Sequence, residues 1–206
     1  MIAQIVRDFL MLLVTIDPVG TLALFVPLTA GSAHEEKARI ARRAVFFAGL
    51  VLMGFLILGE LLLSGIGVRL VSFQLAGGVI LFLFGLQMVF GSGPAVSPTE
   101  PGHDVAVFPL ALPTIANPGS IMAIVLLTDN HRQSIAQQVL TAAVLIVVLV
   151  ITLLVLLLAA PIYRVLGSTG SNLLVRVMGL LLAALAAEQV VAGVEQLVLA
   201  APRSLH

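Results

Sequence analysis

Two short strings in this chain set an Asx-Pro step inside an apolar run: Thr15-Ile16-Asp17-Pro18-Val19-Gly20 and, half a chain later, Ile115-Ala116-Asn117-Pro118-Gly119-Ser120. Proline in a helix interior loses a backbone hydrogen bond and clashes with the preceding turn, at a cost of about 3 kcal/mol. Directly after Asp or Asn it occupies a favoured first helical position instead, with the Asx side chain as N-cap. Each string therefore reads as the end of one half-helix and the start of another. Gly20 and Gly119 let the adjacent chain unwind or pack closely. A fresh helix start presents unpaired N–H groups and the positive end of a helix dipole, which suits a small anionic group. Asp17 adds a carboxylate that can cap its own half-helix, bind an ammonium group or carry a coupling proton. Thr21 and Ser120 add hydroxyls, which more often bond back to their own helix than reach a ligand. The plainer alternative is that Asp17 and Asn117 are caps and nothing more.

The elements that carry these strings belong in lipid. Of the 206 residues 60% are hydrophobic and only 10% charged, too little polar surface to coat a water-facing domain of this length. The mean hydropathy of +1.19 agrees. A spanning helix needs about 20 mostly apolar residues. Six stretches qualify: Ile5 to Thr29, Ala44 to Ile66, Leu70 to Gly91, Val105 to Thr128, Val139 to Ala160 and Leu173 to Ala200. Runs this long favour helices over the short alternating strands of a barrel. Counted from Ile5 at ~1.5 Å per residue, Asp17 lies ~18 Å along its helix. That is near the middle of a hydrocarbon core about 30 Å thick, where a carboxylate is costly and by default a functional-site candidate. Arg7 and Asp8 interrupt the N-terminal run, so the N-terminus reads as mature protein rather than a cleaved signal.

A Gly/Pro/Ser/Thr stretch around residues 92–104 is the one linker-like shift in composition, and it falls close to halfway. The two Asx-Pro strings, followed by Leu24-Phe25-Val26 and Ile124-Val125-Leu126, suggest a repeat. Gly77 and Gln87 in the third run likewise fall opposite Gly179 and Gln189 in the sixth. The reading is a single membrane domain over residues 1–206, with a first repeat at 1–91 and a second at 105–206. Three spans per half make the repeats inverted, and helices broken at matching positions of such halves point to a binding site between them. Lys37, Arg39, Arg42 and Arg43 form the densest basic cluster, placing the first loop in the cytoplasm and both termini outside.

Other polar residues in the spans have more ordinary readings. Glu60 lies toward the end of its span; Glu188 sits deeper, as a coupling group or a structural partner of Arg176 or a backbone donor. Gln74, Gln87 and Gln189 suit bonds between helices, and Gly77-Gly78 a packing face. Formal net charge is zero, so no basic face argues for nucleic acid. There are no cysteines, and His34, His103, His131 and His206 form no metal-ligand spacing. No nucleophile–base set or phosphate loop is present, so neither an enzyme nor a bound cofactor or metal is expected.

These motifs resemble the MarC family of bacterial multi-pass inner-membrane proteins, over nearly the whole chain. The resemblance rests on Asp17-Pro18-Val19-Gly20, Phe73-Gln74-Leu75-Ala76-Gly77-Gly78, Phe108-Pro109-Leu110-Ala111-Leu112-Pro113 leading to Pro118-Gly119, and Arg176-Val177-Met178-Gly179-Leu180 with Gln189. The family pattern usually continues the first motif with Asn and then Pro, where this chain has Thr21 and Ala23. It usually has Gly-Pro-Gly in the fourth span, against Asn117-Pro118-Gly119 here. The resemblance implies an inner-membrane transporter of small neutral amino acids such as glycine and alanine. The expectation is thus an all-α membrane protein of six transmembrane helices, with a substrate site at Asp17, Pro18, Gly20, Thr21, Asn117, Pro118, Gly119 and Ser120. Its partners are the lipid bilayer and a small-molecule substrate, and the reading is compatible with a homo-oligomer. A channel-like facilitator and a non-transporting membrane scaffold are the competing readings.

Overall fold

The computed structural model of the chain describes residues 2–91, 104–129 and 133–200. Every element among them is helical: α1 (Ile2–Ile16), α2 (Pro18–Leu28), α3 (His34–Gly65), α4 (Leu70–Phe90), a loosely wound segment over Ala106–Ile115, α5 (Pro118–Leu127), α6 (Ile135–Leu157) and α7 (Ala159–Ala200). Five helical stretches are long and apolar enough to cross a bilayer, α1 and α2 together making the first. The loosely wound segment and α5, bent by 54° at their junction, make a sixth if they count as one span.

Both breaks fall where the prolines place them, but the two halves differ. The first is a local interruption of one 27-residue span. The second follows a segment whose backbone leaves helical values at Phe108, Leu112 and Pro113. Pro109 and Pro113 withdraw two N–H donors there. The chain answers with wide turns, Ala116 N–H donating to the Ala111 carbonyl and the Thr114 hydroxyl to the Pro109 carbonyl. The expected regular helix from Val105 is therefore absent. Two other boundaries shift. α3 begins at His34 rather than Ala44, because its first turns are charged and helical without being apolar. A bend at Gly167 (φ 64°), inside α7, stands where a loop after the fifth span was expected. Residues 92–103 of the linker lie outside the described residues; its last residue, Asp104, is held by the Arg43 guanidinium at 2.6 Å.

The core is built around the breaks. Leu12, Ile16 and Phe25 of α1 and α2 are buried against Leu52 of α3, Leu110 and Ile115, and Leu145 of α6. Phe46, Leu50, Ile57 and Leu61 of α3, with Ile146, Val150 and Leu154 of α6, face outward. An apolar outer surface of this kind is what a bilayer solvates. α1 and α6 run side by side in the same direction: Gln4 bonds Gln133 and Gln137, and one turn on the Thr141 hydroxyl donates to buried Asp8 at 2.9 Å. α4 and α7 pair antiparallel and very closely. A Cβ on Gly85 would stand 2.8 Å from the Gly179 carbonyl oxygen, and one on Gly179 the same distance from that of Gly85. Without water to drive helices together in lipid, backbone approach of this kind supplies the packing.

This pairing makes a stability prediction. Gly85→Ala would set a methyl group against backbone atoms of α7 and should destabilise the protein by about 1–3 kcal/mol. Gly54→Ala points into open space and should be neutral or slightly stabilising. Thermal unfolding of the two variants in detergent checks the contrast.

Candidate functional site

Asp17 sits at the junction of α1 and α2 in a left-handed conformation (φ 50°), a region that only Asn, Asp and Gly enter at low cost. Its N–H closes α1 on the Leu13 carbonyl, and its carboxylate Oδ1 accepts the Gly20 N–H at 3.0 Å, opening α2. The Thr21 hydroxyl donates back to the Asp17 carbonyl at 2.9 Å. Asn117 repeats the arrangement: its Oδ1 accepts the Ser120 N–H at 2.9 Å, and the Ser120 hydroxyl bonds back to the carbonyls of Ile115 and Asn117. Gly20 and Gly119 are needed for close approach rather than for unwinding. A Cβ on Gly20 would lie 2.1 Å from the Asp17 carboxylate, and one on Gly119 2.2 Å from Leu81.

Asn117 also does what Asp17 cannot. Its Nδ2 donates to the Thr15 carbonyl of α1 at 2.7 Å and to the Thr114 carbonyl at 3.1 Å. In a continuous helix the Thr15 carbonyl would accept the Val19 N–H four residues on, and the left-handed turn at Asp17 breaks that ladder. The second break thus supplies a donor that the first break lacks. A carboxylate at 117 could accept but not donate, so the amide–acid asymmetry of the two strings has a structural reason.

The breaks touch, but they do not open on one shared space. A cavity of about 340 Å³ is lined by Asp17, Gly20, Thr21 and Thr114, with Leu24, Phe84 and Met88 as an apolar wall. At its open end stand Gly91, Asn172 and Arg176, all exposed. Asn117, Pro118 and Gly119 line a separate, smaller cavity of about 190 Å³ against Ile80 and Leu81. Phe84 borders both and divides them. The expected single site is therefore split by an aromatic ring.

Of the remaining expected residues, Pro18 and Ser120 are buried and line neither cavity. Gln87 and Glu188 are exposed and line neither, and Gln189 bonds Gln74 across the α4–α7 pair. Glu188 is not buried against Arg176, because Arg176 lies some three turns earlier on α7. Three polar lining residues, Thr114, Asn172 and Arg176, were not among the expected site residues. Thr114 precedes the second break by three residues. Arg176 begins the motif that ends at Gly179-Leu180, and it stands opposite Gln74 when the third spans are aligned on their glycines, the one sequence signal that marks it.

A bundle of five or six apolar helices, two of its spans broken at Asx-Pro steps around a cavity, defines a multi-pass integral membrane protein. The sequence profile described as "MarC family integral membrane protein" matches residues 2–198, and the chain belongs to that family. It is 32% identical over 195 residues to a UPF0056 membrane protein of Archaeoglobus fulgidus, covering 92% of this chain and 91% of the relative. It is 29% identical to the UPF0056 inner membrane protein YhgN of Escherichia coli K12, covering 93% of this chain and 96% of the relative. The UPF0056 membrane protein YvbG of Bacillus subtilis is 28% identical, with 95% and 96% covered. No solved structure matches the chain significantly.

The Asn117 tie can be tested directly. Asn117→Ala removes a cap, worth about 1 kcal/mol, and leaves the buried Thr15 carbonyl without its donor, worth about 1–3 kcal/mol more. Asn117→Asp keeps the cap but loses the donor and adds a buried charge, so it should be no more stable than Asn117→Ala. Denaturant unfolding in mixed micelles should show both variants well below the parent.

Proposed function

We propose that this chain is a secondary transporter of small neutral amino acids, glycine and alanine above all, and not an enzyme. The observation that carries the reading is the larger cavity, with a buried carboxylate, Asp17, at its inner end and an exposed guanidinium, Arg176, at its mouth. A zwitterion has the matching pattern. Its ammonium group pairs with Asp17 and its carboxylate with the planar fork of Arg176, which matches carboxylates in a way an ammonium does not. Thr21 and Thr114 add polar lining, and Leu24, Phe84 and Met88 an apolar wall. The volume lies at the low end of ligand cavities, about 300–1,000 Å³, in keeping with a small solute.

The inverted-repeat reading goes with this function. It is supported by the matched caps at Asp17 and Asn117 and by the antiparallel α4–α7 pair. Thr29 and Thr128 add to it, each ending its half-helix with a hydroxyl bonded back, to Phe25 and Ile124. In the proposed orientation Lys37, Arg39, Arg42 and Arg43 lie in the cytoplasm and both termini outside, in a bacterial inner membrane. Gly91 and the Arg43–Asp104 pair fall on the same cytoplasmic face, so the cavity opens inward.

Proteoliposome uptake of labelled glycine and alanine tests the proposal. Uptake should saturate, and Asp17→Asn and Arg176→Gln should each lower it at least tenfold. Asn caps helices and tolerates the left-handed backbone, so Asp17→Asn removes the charge without removing the break. Equal uptake in the parent and both variants would sink the assignment. Uptake without saturation would identify a channel-like facilitator instead.

A further inference from the structure

The α4–α7 pair is hydrogen-bonded at one end and open at the other. As α4 advances from Gln74 through Gly78 and Gly85 to Gly91, its neighbours on α7 recede from Gln189 through Ala186 and Gly179 to Arg176. At the first end, buried Gln74 donates to the Gln189 side chain at 3.0 Å and to its carbonyl at 3.2 Å. Val14, Phe73 and Leu126 pack onto the cluster of Leu81, Met122 and Ala186, and neither Gln74 nor Gln189 lines either cavity. At the other end Arg176 stands exposed at the mouth of the larger cavity, and Gln87 is exposed on α4 outside that lining. No hydrogen bond joins those two among the described residues.

These two ends are counterparts. The offset that relates Gly77 to Gly179 and Gln87 to Gln189 also relates Gln74 to Arg176. Exchanging the halves therefore carries the Gln74–Gln189 pair onto Arg176 and Gln87. Because the helices run antiparallel, Gln87 and Arg176 stand opposite each other in the same register as Gln74 and Gln189. The offset between the two breaks likewise carries Thr114, which lines the open cavity, onto Val14, which packs on the Leu81–Met122–Ala186 cluster and lines neither cavity.

We infer that the site has a second mouth, on the face opposite the open one, held shut by the Gln74–Gln189 hydrogen bonds. When that mouth opens, the Gln74–Gln189 bonds break, Arg176 pairs with Gln87 and the present mouth narrows. The solute on which the two mouths act is the small zwitterion of the proposed function, and the inference rests on that reading and on the inverted repeat behind it. A transporter built of two such halves needs alternating mouths of this kind, one open while the other is shut.

The absence of cysteine from the chain makes the test direct. Val14→Cys reports the closed region and Leu24→Cys the open cavity, each labelled with a membrane-impermeant maleimide applied to one face of oriented vesicles. In the otherwise native protein Leu24→Cys should react from the mouth face and Val14→Cys from neither. Adding Gln74→Ala should raise the reaction of Val14→Cys from the opposite face at least tenfold and slow that of Leu24→Cys. An unchanged Val14→Cys rate would overturn the second mouth. A rise at both positions from both faces would overturn it too, since that is general loosening. As a second measurement, oxidising Gln74→Cys with Gln189→Cys should arrest uptake and reduction should restore it; uptake undiminished by the cross-link contradicts the gate. Labelling needs no knowledge of the solute, so it decides the gate even if glycine and alanine prove not to be carried. Saturable uptake with no labelling change would leave the site standing and remove the second mouth.

Discussion

Within a bilayer a backbone carbonyl has no water to turn to, and that constraint governs how this chain can break a helix. At the Asp17 break the last carbonyls of α1 lose their helical donors, and the one at Thr15 takes its hydrogen from Asn117 of the other half. The same amide caps α5 through its oxygen and steadies the end of the loosely wound segment through Thr114. One side chain therefore fixes the relative position of two broken spans that lie half a chain apart in sequence. The core packed around them, from Leu12 and Ile16 to Leu110 and Ile115, is arranged about that contact. Its counterpart, Asp17, has no hydrogen to give. Its carboxylate turns to its own helix and to the cavity.

The close pairing of α4 and α7 supplies the second half of the arrangement. Glycines at positions 78, 85 and 179 bring the two backbones together, and the cavity lies beside their junction, floored by the first break. Phe84 separates this space from the smaller cavity at the second break, so the two halves contribute unequally. The half that carries the acid faces the larger space. The half that carries the amide is spent on structure. Chemical asymmetry in the two strings has become a division of labour.

Much of this was legible in the sequence, and the reasons are local. Proline lacks an N–H wherever it stands, so Asp17-Pro18 and Asn117-Pro118 announce their breaks, and the caps they form span only three residues. The Asn117–Thr15 tie was not legible, because it joins residues far apart in the chain. Nor was the partition of the site, since one Phe in an apolar run carries no mark of the space it divides. Span-finding by apolarity missed the first turns of α3, where Glu35, Glu36, Lys37 and Arg39 extend the helix without apolar character. The orientation of α7 was hidden for a related reason. With apolar residues all round, nothing in the string said that Glu188 faces outward while Arg176 stands at the cavity mouth.

The central claim is that a carboxylate and a guanidinium at the two ends of one cavity hold a small zwitterion. Thermal unfolding of the purified protein with glycine, methylamine or acetate measures it most directly, because a ligand that binds only the folded state raises the melting temperature. The account predicts a saturable rise with glycine, little with methylamine or acetate, and none with glycine in Asp17→Asn or Arg176→Gln. A rise of the same size in those two variants, or one that acetate alone reproduces, would contradict it.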